Sequence, residues 1–193
     1  MTVLPTLVVV GGPAGSGKTT LANQIAAALG CPAISRDEIK QGMAHATPGF
    51  VAGPGDELTR RTLPVFFAVL DLLLSSGVTT VAEAAFQDHV WRPRLEPLGR
   101  LARIRVVHCT VRADLAFERA RKRARDDPLR RVHADPGPGD AAAHAAAHRA
   151  FRRVSIDVPW LEVDTTDGYR PSFGRILSFI GDDQGGSGPA AGP

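Results

Sequence analysis

Five short apolar runs alternate with longer stretches of helical spacing along the chain. Residues 7–11 (LVVVG) are a continuous apolar run ending in glycine, the pattern of a parallel strand buried on both faces. The spacing from 18 to 29 places Leu21, Ile25, Ala28 and Leu29 on one helical face, with Gly30 as the stop. A short second strand is predicted over 32–35, followed by a helix fading near Ala46. Residues 47–55 (TPGFVAGPG) hold too many glycines and prolines for regular structure and predict a mobile loop over a site. A long apolar helix is predicted over about 56–76, kinked or split at Pro64. Further strands are predicted at 78–82, 104–109 and 160–164. The helices between and after them fall at 89–102 (interrupted by Pro93 and Pro97), at 113–125, at 140–153 and at 171–180. Residues 182–193 (DDQGGSGPAAGP) read as a disordered tail. This alternation predicts one α/β domain over 1–181, a five-stranded parallel sheet between two helical layers.

Composition changes this picture little. At 193 residues and 44% apolar, the chain suits one packed domain. No run approaches the roughly 18 apolar residues of a membrane helix, and no signal peptide is evident. Cys31 and Cys109 lie in or beside predicted core elements and form no CxxC pair, which fits reduced thiols and a cytoplasmic location. Charge is more informative. Residues 92–131 carry 13 Arg or Lys against 5 Asp or Glu, while the rest of the chain carries 10 against 15. Such a basic stretch suits a docked polyanion, and ATP is sufficient.

The strongest chemical signal follows the first strand. Gly12-Pro13-Ala14-Gly15-Ser16-Gly17-Lys18-Thr19 fits G-x-x-x-x-G-K-[ST] between an apolar strand and a helix start. Its glycines let consecutive amides point inward at phosphate oxygens, and the helix starting there adds its positive dipole end. Lys18 is then a ligand for the β- and γ-phosphates and Thr19 for Mg²⁺, with Thr20 beside them. The bound nucleotide is expected to be ATP.

Ser35-Arg36-Asp37-Glu38-Ile39 comes next, at the end of the second strand. The P-loop, this SRDE motif, an acidic strand end at Glu83 and an Arg-rich helix together resemble the small P-loop kinase group. That group includes chloramphenicol phosphotransferase, the zeta toxins and the kinase domain of polynucleotide kinase. The resemblance spans roughly residues 5–180. It implies a P-loop NTPase fold with a helical lid at about 119–150, and it gives Asp37 the activation of the acceptor hydroxyl. The residues agree, since Asp37 falls just past a strand's carboxyl end, expected beside the strand that feeds the P-loop. The competing local reading is a Ser35/Glu38 capping box. Arg36 is a candidate for holding Asp37, the acceptor or phosphate.

No run of four aliphatics ends in aspartate, so the metal-supporting acid is left between Glu83, through water, and Asp164. Glu83 is also a candidate acceptor ligand, against the plainer reading of a solvated acid at a strand end. The resemblance makes Arg119 and Arg123, four apart on one helical face, clamps on phosphate or covers on adenine, with Arg123 counted as catalytic beside Lys18 and Asp37. Arg130 and Arg131 fall in the lid loop. Thr165, Thr166 and Gly168 are weaker candidates for adenine contact. His144 and His148 share a helical face without an evident third metal ligand. Phe66 and Phe67 read as core with a secondary reading as an acceptor wall, and Trp91 has no assigned role.

Three functions remain open at this stage. The first is ATP-dependent phosphorylation of a small alcohol: an antibiotic, which would imply resistance or self-protection, a nucleoside or a sugar-like metabolite. The second is a polynucleotide 5′-hydroxyl kinase, which needs stacking aromatics in a backbone groove, whereas only 6% of this chain is aromatic. The third is a regulatory protein that hydrolyses ATP slowly. Oligomeric state is not expressed in the pattern.

Overall fold

The computed structural model describes residues 4–53, 55–126, 132–133 and 140–182. Five strands form one parallel sheet: β1 (Thr6–Gly11), β2 (Ala33–Ser35), β3 (Thr80–Glu83), β4 (Arg103–Thr110) and β5 (Trp160–Asp164). Seven α-helices join and flank them among the described residues: α1 (Lys18–Leu29), α2 (Arg36–His45), α3 (Glu57–Ser75), α4 (Asp88–Leu95), α5 (Ala113–Asp126), α6 (Ala141–Ala150) and α7 (Phe173–Gly181).

The strand order is β2-β3-β1-β4-β5. β1 is therefore central, and every residue of it is buried. Its alternating side chains feed two cores. Leu7 and Val9 join Phe66, Leu70 and Trp91 from α3 and α4; Val8 and Val10 join Leu21 and Ile25 of α1 and Ile176 of α7. This is the predicted three-layer arrangement, and it explains why the strand reads as continuously apolar instead of alternating.

Three expectations change. α3 is not split at Pro64; it runs unbroken from Glu57 to Ser75, its core face held by Phe66, Phe67, Leu70 and Leu74. The third strand begins two residues later than expected and includes Glu83. And β2 does not lie beside β1: β3 is inserted between them, with Ser35 paired to Glu83 and Glu83 to Val10. Pro97 sits in a 3₁₀ turn at Glu96–Arg100 that follows α4, the expected interruption, whereas Pro93 lies inside α4 without breaking it.

The loop after α2 is irregular, as expected, but pinned. Asp56 caps α3, accepting from Thr59 N at 2.7 Å, and Lys40 Nζ reaches the same carboxylate at 2.7 Å and Thr59 Oγ1 at 2.9 Å. Lys40 also lies 5.7 Å from the Phe50 ring centroid. No described helix is long and apolar enough to cross a membrane. Arg130, Arg131, part of the proposed lid and residues 183–193 lie outside the described residues.

Candidate active site at the carboxyl ends of the strands

β1 delivers the chain into the P-loop, and α1 begins at Lys18 with Gly17 as its left-handed cap (φ 73°). The cradle is close-fitting. A Cβ on Gly15 (φ +77°) would stand 2.0 Å from Ala116 O of α5, and one on Gly12 2.5 Å from Cys109 O of β4. Only glycine permits that approach. Ser16 Oγ is buried without a hydrogen-bond partner among the described residues, an orphan polar atom inside the cradle. These features fit a bound polyphosphate.

Lys18 is buried, its Nζ 3.5 Å from Pro13 O and 3.9 Å from Glu83 Oε1. Glu83 is buried too, and Ser35 Oγ donates to its Oε2 at 2.7 Å. The solvated-acid reading of Glu83 and the capping-box reading of Ser35 are therefore both replaced. Ser35 is the N-cap residue of α2 but makes no side-chain cap bond; the sheet register sets its hydroxyl beside Glu83, which accepts from it instead.

Arg36 and Asp37 open α2. Arg36 Nη1 lies 3.3 Å from Asp37 Oδ1, and its Nη2 donates to Thr59 O at 3.3 Å, which ties α2 to α3. His133 supplies a contact unforeseen from sequence. Its Nδ1 lies 3.9 Å from Asp37 Oδ1 and its Nε2 3.5 Å from Gln41 Nε2. A lone histidine in a Pro- and Gly-rich stretch carried no signal of this.

Arg119 and Arg123 lie on one face of α5, as predicted. Arg119 Nη2 donates to Thr165 O at 3.0 Å and Thr166 O at 3.2 Å. Thr165 Oγ1 donates to Ser16 O at 2.8 Å. Arg119 and Thr165 thus lock α5, the end of β5 and the P-loop together; Thr165 is a buried tie. Asp164 is engaged by the turn that follows β5. Its Oδ1 accepts from Thr166 N at 2.8 Å, and hydrogen bonding from Thr166 holds its carboxyl below the usual carboxylate range. Of the two acids considered for the metal, Glu83 is the one beside Lys18.

Three cavities meet here, and Arg123 lines all of them. One of about 510 Å³ runs from Gly15 and Lys18 past Asp37 to Leu63, Val90 and Trp91. A second, about 280 Å³, is lined by Thr19, Ser35, Asp37 and Glu38, hard oxygen donors that suit Mg²⁺. A third, about 490 Å³, lies between the P-loop, Arg119, Gly168 and Tyr169.

Phe66 and Phe67 do not line the large cavity; they are core residues that back Trp91, with ring centroids 5.6 and 5.7 Å from it. His144 packs on α5, its ring 5.3 Å from that of Phe117. No group of three or more His, Cys, Asp or Glu that could hold a metal occurs among the described residues. Burial pushes the Cys109 thiol up to about 12, so it is an inert core group under the cradle.

Solved structures share this architecture. A protein from Chloroflexus aurantiacus provisionally named a kinase superposes with a TM-score of 0.77 at 22% identity, over 93% of this chain and 97% of that one. A sugar kinase from Janibacter sp. HTCC2649 gives 0.62 at 19%, over 92% and 94%. Kti12 from Chaetomium thermophilum, solved with ADP-AlF3, gives 0.62 at 18%, over 92% and 100%. At such identities the likeness shows the fold. No curated protein sequence matches the chain. Residues 7–154, which hold the P-loop, Asp37, Glu83, Arg119 and Arg123, match the AAA_33 family, described as an AAA domain. With its P-loop kinase-like fold, the chain belongs to that family.

Proposed function

We propose that this protein is an ATP-dependent phosphotransferase that moves the γ-phosphate to a hydroxyl of a small molecule. One observation carries the reading: a single cavity reaches both the P-loop lysine and the Asp37 carboxylate. A phosphate donor held by the cradle and an alcohol facing Asp37 would share one space, as in-line transfer requires.

The roles follow from position. The amides of residues 12–19 and the start of α1 hold the β- and γ-phosphates. Lys18 leaves its contact with Glu83 for the γ-phosphate oxygens. Asp37 accepts the acceptor's proton as its oxygen bonds to phosphorus; the bond from phosphorus to the β,γ-bridging oxygen breaks and ADP departs. Arg123 balances the charge spread over the equatorial oxygens. Arg36 orients Asp37 and joins the acceptor side to α3. Magnesium would be held by Thr19, with Glu83 acting through water, and would supply neutralising charge at the phosphates.

The test is an ADP-release assay over aminoglycosides, amphenicols, nucleosides and oligonucleotides. Asp37→Asn is expected to lower transfer by about 10²-fold or more while ATP affinity stays within about threefold. Transfer at the wild-type rate by that variant would remove Asp37 from the base role. Lys18→Ala is expected to abolish both affinity and transfer, and retained activity would overturn the reading as a whole.

A further inference from the structure

Resting on that phosphotransfer reading, we propose that the acceptor is an alcohol with an aromatic or branched aliphatic body rather than a polyol. The large cavity has two unlike ends. Near the P-loop it is ionic, with Lys18, Glu83, Arg36, Asp37 and Arg123. Away from the P-loop its walls are Leu63, Ala84, Ala85, Val90 and Trp91.

The apolar end is built into the fold. Trp91 packs against Phe86, Phe66 and Phe67, with ring centroids 4.8, 5.6 and 5.7 Å away, so this wall is rigid and preformed. Phe86 takes a left-handed backbone (φ 47°) while its ring is buried. That is a strained conformation for a bulky residue, held where β3 turns toward α4 and presents Ala84, Ala85 and Gln87 to the cavity. Val90, partly exposed, continues the apolar surface outward.

Two of the polar groups near that end are engaged, and the Gln87 side chain is left for a single polar group of the acceptor. Thr59 gives its carbonyl to Arg36 and its hydroxyl to Lys40, and Arg60 donates to Gly55 O at 2.7 Å. A reacting hydroxyl set at Asp37 directs the rest of the acceptor toward Trp91, Val90 and Leu63. A ring there buries apolar surface, whereas several further hydroxyls would lose water without gaining partners.

The experiment measures equilibrium binding, independently of turnover, by tryptophan fluorescence in the presence of magnesium and β,γ-imido-ATP. The probes are 3-phenyl-1-propanol and myo-inositol. The aryl alcohol is expected to bind at least about tenfold more tightly. Val90→Asn, at a partly exposed position that tolerates the change, should weaken the aryl alcohol by about tenfold and leave the nucleotide's affinity unaltered. Trp91→Phe should retain binding by competition but lose the fluorescence change, Trp160 being the other tryptophan. Equal or tighter binding of inositol, or an undiminished signal in Trp91→Phe, overturns the acceptor assignment. If a polyol is instead turned over in an Asp37-dependent way, phosphotransfer stands and the acceptor class falls; if the nucleotide does not bind, the phosphotransfer reading falls first.

Discussion

Single atoms decide the chemistry at this site. Gly15 is the sharpest case: a methyl group there meets a backbone carbonyl of α5, not a side chain that can swing away. Gly15→Ala is therefore expected to cost about 2–3 kcal/mol of stability from strain and overlap, and to lower ATP affinity beyond that loss. Isothermal titration beside urea unfolding separates the two. Ser35 makes a subtler case. Ser35→Ala removes the donor to a buried carboxylate, and Glu83 is expected to turn further toward Lys18. ATP would then compete with a tighter internal ion pair, raising the Kd several-fold while α2 stays folded, because the hydroxyl does not cap that helix. Far-UV circular dichroism and a titration with ATP check both halves.

Elements are held to one another by buried polar links, and these carry the pH dependence. Burial alone would raise the Asp56 carboxyl, but Lys40 and the amides of Thr59 and Gly53 outweigh it and hold it well below the usual carboxylate range. A depressed folded value means stability present above the unfolded pKa, about 4, and lost as pH falls below it. Asp56→Ala removes the α3 cap and strands Lys40 in a nearly closed site, an expected loss of about 3–5 kcal/mol at pH 7 that shrinks toward pH 2. His108 on β4 adds a second acid sensitivity. Burial, with Arg153 nearby, lowers it to about 4, and its ring stacks on Phe151 at 5.8 Å. The folded protein then binds fewer protons than the unfolded chain between about pH 4 and 6.5, so stability falls as pH drops through that window. His108→Phe is expected to flatten the window, a difference on the order of 2–3 kcal/mol near pH 4 in chemical denaturation.

For the whole molecule, ligand binding and folding are one equilibrium. ATP with magnesium at about a hundred times its Kd should add about 2.7 kcal/mol, which raises the melting temperature by several degrees, and Lys18→Ala should erase that rise. The P-loop was legible as a local pattern because its strand, glycines and helix start are contiguous. The reading of Asp37 and the α5 arginines as site residues rested chiefly on likeness to a kinase group, with Asp37's place just past a strand end as the one local signal beside it. Two local readings gave way: Ser35 as a cap and Glu83 as a solvated acid both fell to the sheet register that pairs them. Phe66 and Phe67 are core residues, as their apolar spacing indicated, and only the secondary reading as a cavity wall gave way, because apolar periodicity reports burial, not which buried ring faces a cavity.

What the chain settled by itself is whatever neighbouring residues decide: the alternation of strand and helix, the two cores implied by the continuous apolar run at 7–11, and an anion cradle at residues 12–19. What only tertiary structure decided is the placement of β3 between β1 and β2, and with it the meeting of Lys18, Ser35 and Glu83. Strand order depends on how crossover helices pack over a twisted sheet, and no local pattern encodes that. The pairing of a charged and an apolar end in one cavity arises the same way, from residues far apart in sequence brought to the same edge of the sheet.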